Sequence, residues 1–326
     1  MTHSKMRVGL IDVDNRLPSL PLMKIKSYYS VRNIAAEFAY PLNYYEYDPL
    51  YASAIFDFSD KEFVPRRAIA GGTGYDPATR LPEEIETCQP DYSLYPQCDF
   101  SYQRFTYGCT RKCGFCVAWK MGTFEELAPM NLNPRGKSIY LLDNNFFASE
   151  RWRENIKILI GYNQPVQFEG IDARIVSQDD EMLHYLNQVK LKNHGLHMAW
   201  DTPGIDMEPD FKKIIEKIKP YKITCYVLIG YFSTEEQDMH RVQTLDALGI
   251  SPYVMPFNKS NYYQKTFAAW VNNPRLFKTI AWDTFLKNRQ RKQIERWKQN
   301  EIKQGDNAFP FIRECQNKSL YGGQNE

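Results

Sequence analysis

The chain has 326 residues, enough for one large domain or two modest ones, and a chain of this length can bury an active site. Its hydrophobic share of 43% and charged share of 25% exclude a disordered or fibrous protein, and a formal charge of +2 gives no argument for a nucleic-acid partner. The first apolar run ends at Asp12, too early for a signal peptide, and no apolar stretch reaches the roughly 20 residues that span a bilayer. We expect a cytoplasmic protein with no membrane partner.

The first 97 residues show a βαβ pattern. The predicted elements are a strand at 6–13, a helix at 27–39, strands at 43–47 and 54–58, and a short helix at 82–86. A linker rich in proline and tyrosine follows at 89–96. These features predict a small α/β domain that ends at residue 97.

Residues 98–260 repeat a strand followed by a helix. The predicted strands are 101–107, 138–142, 166–170, 196–199, 222–229 and 251–255. The predicted helices are 150–160, 179–192, 209–219 and 234–248. This alternation predicts parallel strands joined by crossover helices, hence an α/β sheet or barrel. Six units are too few for a closed eight-stranded barrel, so we expect a partial, open barrel whose active site lies at the carboxyl ends of its strands.

The remaining residues, 261–326, predict a helical extension with one or two long helices over 274–304. Residues 287–303 are rich in lysine and arginine. The apolar side chains at roughly helical spacing are Trp282, Phe285, Ile294 and Trp297. The pattern is typical of a helix that packs through its apolar side chains and exposes a cationic face, and we expect this helix to pack against the barrel. Binding of a nucleic acid or another anionic substrate is the second interpretation.

Three of the seven cysteines lie in one short loop after the first strand of the second region. Cys109, Cys113 and Cys116 form a CxxxCxxC motif, and Phe115 precedes the last of them. Three thiolates in one loop can each bind a different iron of a [4Fe-4S] cluster and leave the fourth iron open to another ligand. The motif therefore predicts an iron–sulfur site.

A structural zinc site is the alternative for these cysteines. Structural zinc takes four ligands, usually from paired CxxC motifs, and this loop supplies one triplet. Cys88 or Cys98 is then the candidate for the fourth ligand. On that interpretation the protein is a zinc-stabilised module that binds nucleic acid, and no catalysis follows.

The cysteine loop, placed at the end of the first strand of an α/β pattern, resembles that of the radical S-adenosylmethionine (SAM) superfamily, and residues 98–260 resemble its core, a partial (β/α)6 barrel. The resemblance implies an enzyme whose [4Fe-4S] cluster is reduced by a donor such as flavodoxin or ferredoxin. The reduced cluster then cleaves SAM to a 5′-deoxyadenosyl radical, which abstracts hydrogen from a substrate that the sequence does not identify.

The resemblance also implies which residues contact SAM. They are Phe115, Asp143, Asn144, Asp172, Arg174, Asp201 and Gly230. Asp143 or Asn144 stands where the family holds the amino group of SAM, although the commoner Gly-Gly-Glu motif is absent. Arg174 matches the place of a ligand for the SAM carboxylate, or else it forms a structural pair with Asp172.

Two further strand ends complete the expected SAM site. Asp201 is expected to accept from the ribose hydroxyls, or else to cap the helix that follows it. Gly230 is expected to let the backbone pass close to adenine, since glycine has no side chain to obstruct that approach.

Residues 1–97 resemble, in shortened form, the cobalamin-binding domain that precedes this core in B12-type radical SAM proteins. Such domains often carry a DxHxxG loop whose histidine binds cobalt, and the comparable stretch, 12–17, has neither that histidine nor that glycine. We therefore expect a degenerate Rossmann-like scaffold. A cobalamin-dependent radical SAM methyltransferase is kept as an alternative function.

Overall fold

The computed structural model describes residues 6–304, and these residues divide into two compact units, 6–257 and 258–304. The strands of the first unit are β1 (Arg7–Asp12), β2 (Ala35–Phe38), β3 (Leu50–Ser53), β4 (Ile69–Gly71), β5 (Ser101–Gln103), β6 (Thr106–Tyr107), β7 (Glu125–Glu126), β8 (Ile139–Leu141), β9 (Val166–Ile171), β10 (Leu191–Ala199), β11 (Ile223–Ile229) and β12 (Ser251–Pro256). Its helices are α1 (Leu20–Ser30), α2 (Glu83–Glu86), α3 (Trp152–Tyr162), α4 (Ala173–Val176), α5 (Asp180–Gln188), α6 (Glu208–Ile215) and α7 (Glu235–Ala247).

The first four strands form a parallel sheet in the order β2-β1-β3-β4. Strand β1 is central in the order and buried, with Val8 and Leu10 fully covered. The expected strand at 6–13 and the short helix at 82–86 are confirmed. The α/β class with parallel strands is therefore correct for this region.

Other elements predicted in this region are wrong. In place of the expected helix at 27–39, helix α1 spans Leu20–Ser30. It begins at Leu20 because the Ser19 hydroxyl accepts from the Leu22 N–H at 3.4 Å. Pro21 lies in the first turn, where its missing N–H costs no hydrogen bond within the helix. The chain then turns at Asn33, whose φ is 57°, and continues as β2. The strands predicted at 43–47 and 54–58 are a single 3-10 turn and a loop after β3.

The second sheet has six strands in the order β5-β8-β9-β10-β11-β12, and every adjacent pair is parallel. All six strands predicted over 98–260 exist, although the first ends early. Successive strands are added in one direction, so right-handed crossovers place the connecting helices on one face. The carboxyl ends of all six strands meet at the same edge.

A buried core links the first sheet to the start of the second. It includes side chains of β1 and α1 together with Tyr92, Leu94, Tyr95, Cys98 and Tyr102. The Tyr92 hydroxyl accepts from the Tyr102 N–H at 2.8 Å. The segment that we expected to be a linker is therefore packed into the core, and a domain boundary near residue 98 stays a prediction.

The second unit contains helices α8 (Tyr262–Val271), α9 (Pro274–Thr279) and α10 (Trp282–Gln304). The Trp282 ring lies 5.2 Å from Phe267 and 5.4 Å from Trp270, centroid to centroid, so it packs within this unit, while packing of the helix against the barrel stays a prediction. The side chains of Ile294 and Trp297, and all of residues 305–326, lie outside the described part of the chain. No described helix is long and apolar enough to cross a membrane.

Candidate metal and cofactor site

The cysteine loop is closed at both ends by a small antiparallel ribbon, β6 paired with β7. The ribbon is fastened to its surroundings through β7. Glu125 accepts two hydrogen bonds from Arg80 at 2.8 and 2.9 Å, and Glu126 accepts from the Ser149 hydroxyl at 2.7 Å. The two ends of the loop at 108–124 are therefore held in place by the ribbon.

Cys109, Cys113 and Cys116 are half-buried free thiols within this loop. The Arg111 N–H donates to the Cys109 sulfur and the Ala118 N–H donates to the Cys116 sulfur, each at 3.4 Å. Backbone donors of this kind can hydrogen-bond to the sulfur of a metal-bound cysteine.

Charge and burial act in opposite directions at the middle cysteine. Burial raises the pKa of the Cys113 thiol, and the positive charge of Arg111 opposes that rise. Among the described residues, no three or more His, Cys, Asp or Glu side chains are grouped to hold one metal ion. The cysteines kept as a fourth zinc ligand lie elsewhere, with the Cys88 thiol donating to the Glu84 carbonyl and the Cys98 thiol to the Phe100 carbonyl.

The thiols face a cavity of about 220 Å³ at the carboxyl edge of the second sheet. The loops after β6, β8, β9 and β10, together with strands β9, β10 and β11, contribute to its wall. The predicted site residues that line it are Cys109, Cys113, Phe115, Cys116, Asn144, Asp172, Arg174 and Asp201. The two predicted residues that do not line it are Asp143 and Gly230.

Asp143 is fully buried beneath the cavity wall and explains why the first strand ends early. Its carboxylate accepts from the Phe105 N–H at 3.1 and 3.2 Å and from the Thr106 hydroxyl at 2.6 Å. Burial raises the pKa of this carboxyl to about 6, and these hydrogen bonds oppose the rise. They take the place of sheet hydrogen bonds where the chain leaves β5 for β6.

The two asparagines after Asp143 reach the cavity. Asn144 is exposed, and its side-chain amide donates to the Gly108 carbonyl at 3.1 Å. Its backbone carbonyl lies so close to Gly170 that a Cβ on residue 170 would be 2.3 Å from the carbonyl oxygen. Asn145 is 3% exposed, and neither its amide oxygen nor its amide nitrogen has a hydrogen-bond partner among the described residues. A buried amide with no partner at a cavity wall is suited to binding a polar ligand.

Two arginines meet at Asp172 on the cavity wall. Arg174 donates through Nε at 3.1 Å and through Nη2 at 3.3 Å, and Arg111 of the cysteine loop forms an ion pair with the same carboxylate. The structural pair that we kept as an alternative for Arg174 is therefore present. Both arginines also line the cavity, and two guanidinium charges share the single carboxylate of Asp172, so this cluster suits an anionic group.

Asp201 lies at the far wall, and it accepts from the Leu228 N–H at 3.2 Å. Burial raises its pKa to about 6, while the charges of Arg241 and Arg111 oppose the rise. Met207 is the residue that precedes helix α6, so the helix-capping alternative for Asp201 is wrong.

Arg241, which the sequence did not single out, supports this wall from behind. It is buried, and it donates to the carbonyls of Trp200 at 2.7 Å and Leu228 at 3.0 Å and to Asp238 at 2.6 Å. It therefore joins the ends of β10 and β11 beside Asp201.

Gly230 directly follows β11 with a φ of 76°, and its N–H donates to the Ser233 hydroxyl at 2.8 Å. Its positive φ explains the glycine, because side chains are strained in that conformation. The next residue, Tyr231, places its ring 5.3 Å from Phe115, centroid to centroid. The turn thus reaches the cysteine loop, while the contact with adenine stays a prediction.

Sequence reasoning also missed three polar side chains on adjacent strands of the cavity: Glu169, His197 and Tyr226. The usable signal was strand alternation, since residues two or four apart on a strand face the same side. Counting back from Asp201 gives His197.

No protein-family model matches the chain, and no curated protein is significantly similar to it. The function must therefore be argued from the site itself.

Proposed function

We propose that the chain is a radical SAM enzyme, in which Cys109, Cys113 and Cys116 hold a [4Fe-4S] cluster and SAM binds in the adjoining cavity. The observation that carries the proposal is the position of the three thiols. They share the loop between β6 and β7, which follows β5, the first strand of a six-stranded parallel sheet, and all three line the cavity. The sequential strand order is also the order expected of a partial barrel.

The donor set fits a cluster. The thiolates of a cubane bind different irons, so they need not surround a single ion, and backbone N–H groups already point at two of the sulfurs. When bound, the cluster and SAM supply a carbon-centred radical that removes hydrogen from unreactive C–H bonds.

The remaining walls of the cavity fit SAM by charge and hydrogen bonding. Arg174 presents its guanidinium to a carboxylate, and Asp201 offers carboxylate oxygens to hydroxyl groups. The partnerless amide of Asn145 offers both a donor and an acceptor. On this proposal, these residues bind and orient SAM.

The test is anaerobic reconstitution of the full chain with iron and sulfide. We expect a [4Fe-4S] electron paramagnetic resonance signal after reduction, and 5′-deoxyadenosine from SAM with dithionite in place of a protein donor. Cys113→Ala should abolish both, whereas Cys88→Ala, which removes a thiol outside the cavity, should keep both. One bound zinc with no sulfide would instead establish the zinc-stabilised module.

The cobalamin-dependent alternative receives no support from the loop after β1. The Asp12 carboxylate accepts from the Tyr95 hydroxyl at 2.7 Å and from the Asn15 N–H at 3.0 Å, and Asp14 accepts from the Ile55 N–H at 2.6 Å. These bonds shape the loop, and its sequence offers no imidazole for cobalt. A corrinoid absorbance in the purified protein would revive this alternative.

A further inference from the structure

Three polar side chains in the cavity have no part in the proposed binding of cluster or SAM. Glu169 comes from β9, His197 from β10 and Tyr226 from β11, so they form a row across three adjacent strands. Nδ1 of His197 lies 3.0 Å from Oε2 of Glu169 and 3.2 Å from the Tyr226 hydroxyl. All three line the cavity.

The hydrogen bonds of His197 fix where its protons lie. Nε2 is 3.1 Å from the backbone carbonyl of His194, and a carbonyl only accepts, so Nε2 carries a proton. Nδ1 faces a carboxyl oxygen of Glu169, and two lone pairs at that distance would repel each other. A second proton therefore lies between Nδ1 and Glu169, on one partner or the other.

Tyr226 completes the row as a donor. Burial, with the nearby charge of Glu169, raises the pKa of its hydroxyl to about 12, so the hydroxyl keeps its proton at neutral pH. Glu169 is itself held by a hydrogen bond from the Gln167 amide at 2.6 Å. The row thus contains a protonated hydroxyl next to a pair that shares a proton.

We infer that Tyr226 is the proton donor of this cavity, that His197 and Glu169 resupply its proton, and that the substrate carries an oxygen atom, such as a carbonyl oxygen, that accepts the proton of Tyr226. The inference rests on the proposed function. In the step, the O–H bond of Tyr226 breaks and its proton bonds to a lone pair of the substrate oxygen. The proton shared by His197 and Glu169 then bonds to the Tyr226 oxygen, and no electron is transferred.

The first test does not depend on catalysis. The full chain, labelled with ¹⁵N-histidine and kept without cluster, has five histidines, and His197→Gln identifies the signals of the ring in question. We expect Nε2 of His197 to be protonated and its Nδ1 resonance to move in Tyr226→Phe. A neutral ring protonated at Nδ1 alone, or an Nδ1 resonance that ignores Tyr226→Phe, would overturn the inference.

The second test measures coupling. Reconstituted enzyme is incubated with SAM, dithionite and a small-molecule cell extract, total tRNA or DNA, and mass spectrometry finds the product that wild type makes and Cys113→Ala does not. In Tyr226→Phe we expect the ratio of product to 5′-deoxyadenosine to fall about 100-fold, the usual effect of losing a general acid. His197→Gln should lower the same ratio.

Tyr253→Phe is the matched control, because its ring packs 5.5 Å from that of Tyr226 but does not line the cavity. It should keep the wild-type ratio. A Tyr226→Phe enzyme with the wild-type ratio would refute the donor role. Absence of 5′-deoxyadenosine in wild type would refute the proposed function instead, and the nuclear magnetic resonance result would then decide the proton assignment alone.

Discussion

At the scale of single residues, Asp201 is a carboxyl group that the fold holds in an unfavourable environment. Its pKa of about 6 in the folded chain exceeds the ordinary value of about 3.9, so the native state binds the extra proton between those values. Stability therefore falls as pH rises from about 4 to 6 and stays low above that range. The Asp201 carboxylate thus destabilises the fold, but it lies on the cavity wall, where it can accept hydrogen bonds from a ligand with hydroxyl groups.

We accordingly expect Asp201→Asn to raise the free energy of unfolding by about 2 kcal/mol at pH 8, because the amide carries no charge to bury. The gain should largely disappear near pH 4, where the wild-type group is protonated in the folded chain and about half protonated in the unfolded chain. Urea titrations of the two proteins at both pH values measure this, and an equal difference at pH 8 and pH 4 would contradict the assignment.

Asn145 and Asp143 are neighbours with opposite roles. The Asn145 amide has no hydrogen bond to lose within the described structure, so Asn145→Ala should change the unfolding free energy little while weakening SAM binding about 10-fold. Asp143→Ala should cost about 3 kcal/mol of stability, since it leaves the Phe105 N–H and Thr106 hydroxyl without their acceptor. Equilibrium dialysis with labelled SAM and urea titration separate the two effects. Equal SAM affinity in Asn145→Ala and wild type would remove Asn145 from the site.

At the scale of elements, the site depends on a close crossing between the end of β9 and the loop after β8. Gly170→Ala would place a Cβ 2.3 Å from the Asn144 carbonyl oxygen, so the backbone around both asparagines must move. We expect at least a 10-fold loss of SAM cleavage in the reconstituted enzyme, because small displacements of binding groups are costly. Gly161→Ala is the control, since a Cβ there meets no atom within 4 Å, and it should retain activity.

Elements whose signals are local were predictable from the sequence. Strand β11 is a run of apolar residues, and helix α7 begins at the capping box of Thr234 and Gln237. The break between β5 and β6 was not predictable, because it depends on Asp143, which lies 38 residues from Phe105. The row of Glu169, His197 and Tyr226 was missed for the same reason, since its members meet only when three strands align.

At the scale of the whole molecule, the two sheets of the first unit share one hydrophobic core. The core shared by α1 and the segment 92–102 would be opened if the first 97 residues were removed. Apolar surface of that kind, once exposed to water, destabilises a fold and promotes association.

We therefore expect a fragment of residues 1–257 to unfold in one cooperative transition, because it contains this core complete. A fragment of residues 98–257 should aggregate or lack a cooperative transition. Circular dichroism with urea titration tests both fragments. Cooperative folding of the shorter fragment would restore residues 1–97 to the status of an independent domain.

The ion pair between Arg111 and Asp172 has a consequence for how the site is assembled in the cell. The ion pair holds the cysteine loop against the end of β9 in the folded chain. On the proposed function, the conformational entropy of the loop is therefore lost during folding, before iron and sulfide bind. Asp172→Asn should therefore slow cluster insertion more than it lowers the final iron content, which a time course of reconstitution would show. That result would make Asp172 a determinant of the rate of cluster insertion, a property separate from the chemistry of the proposed centre.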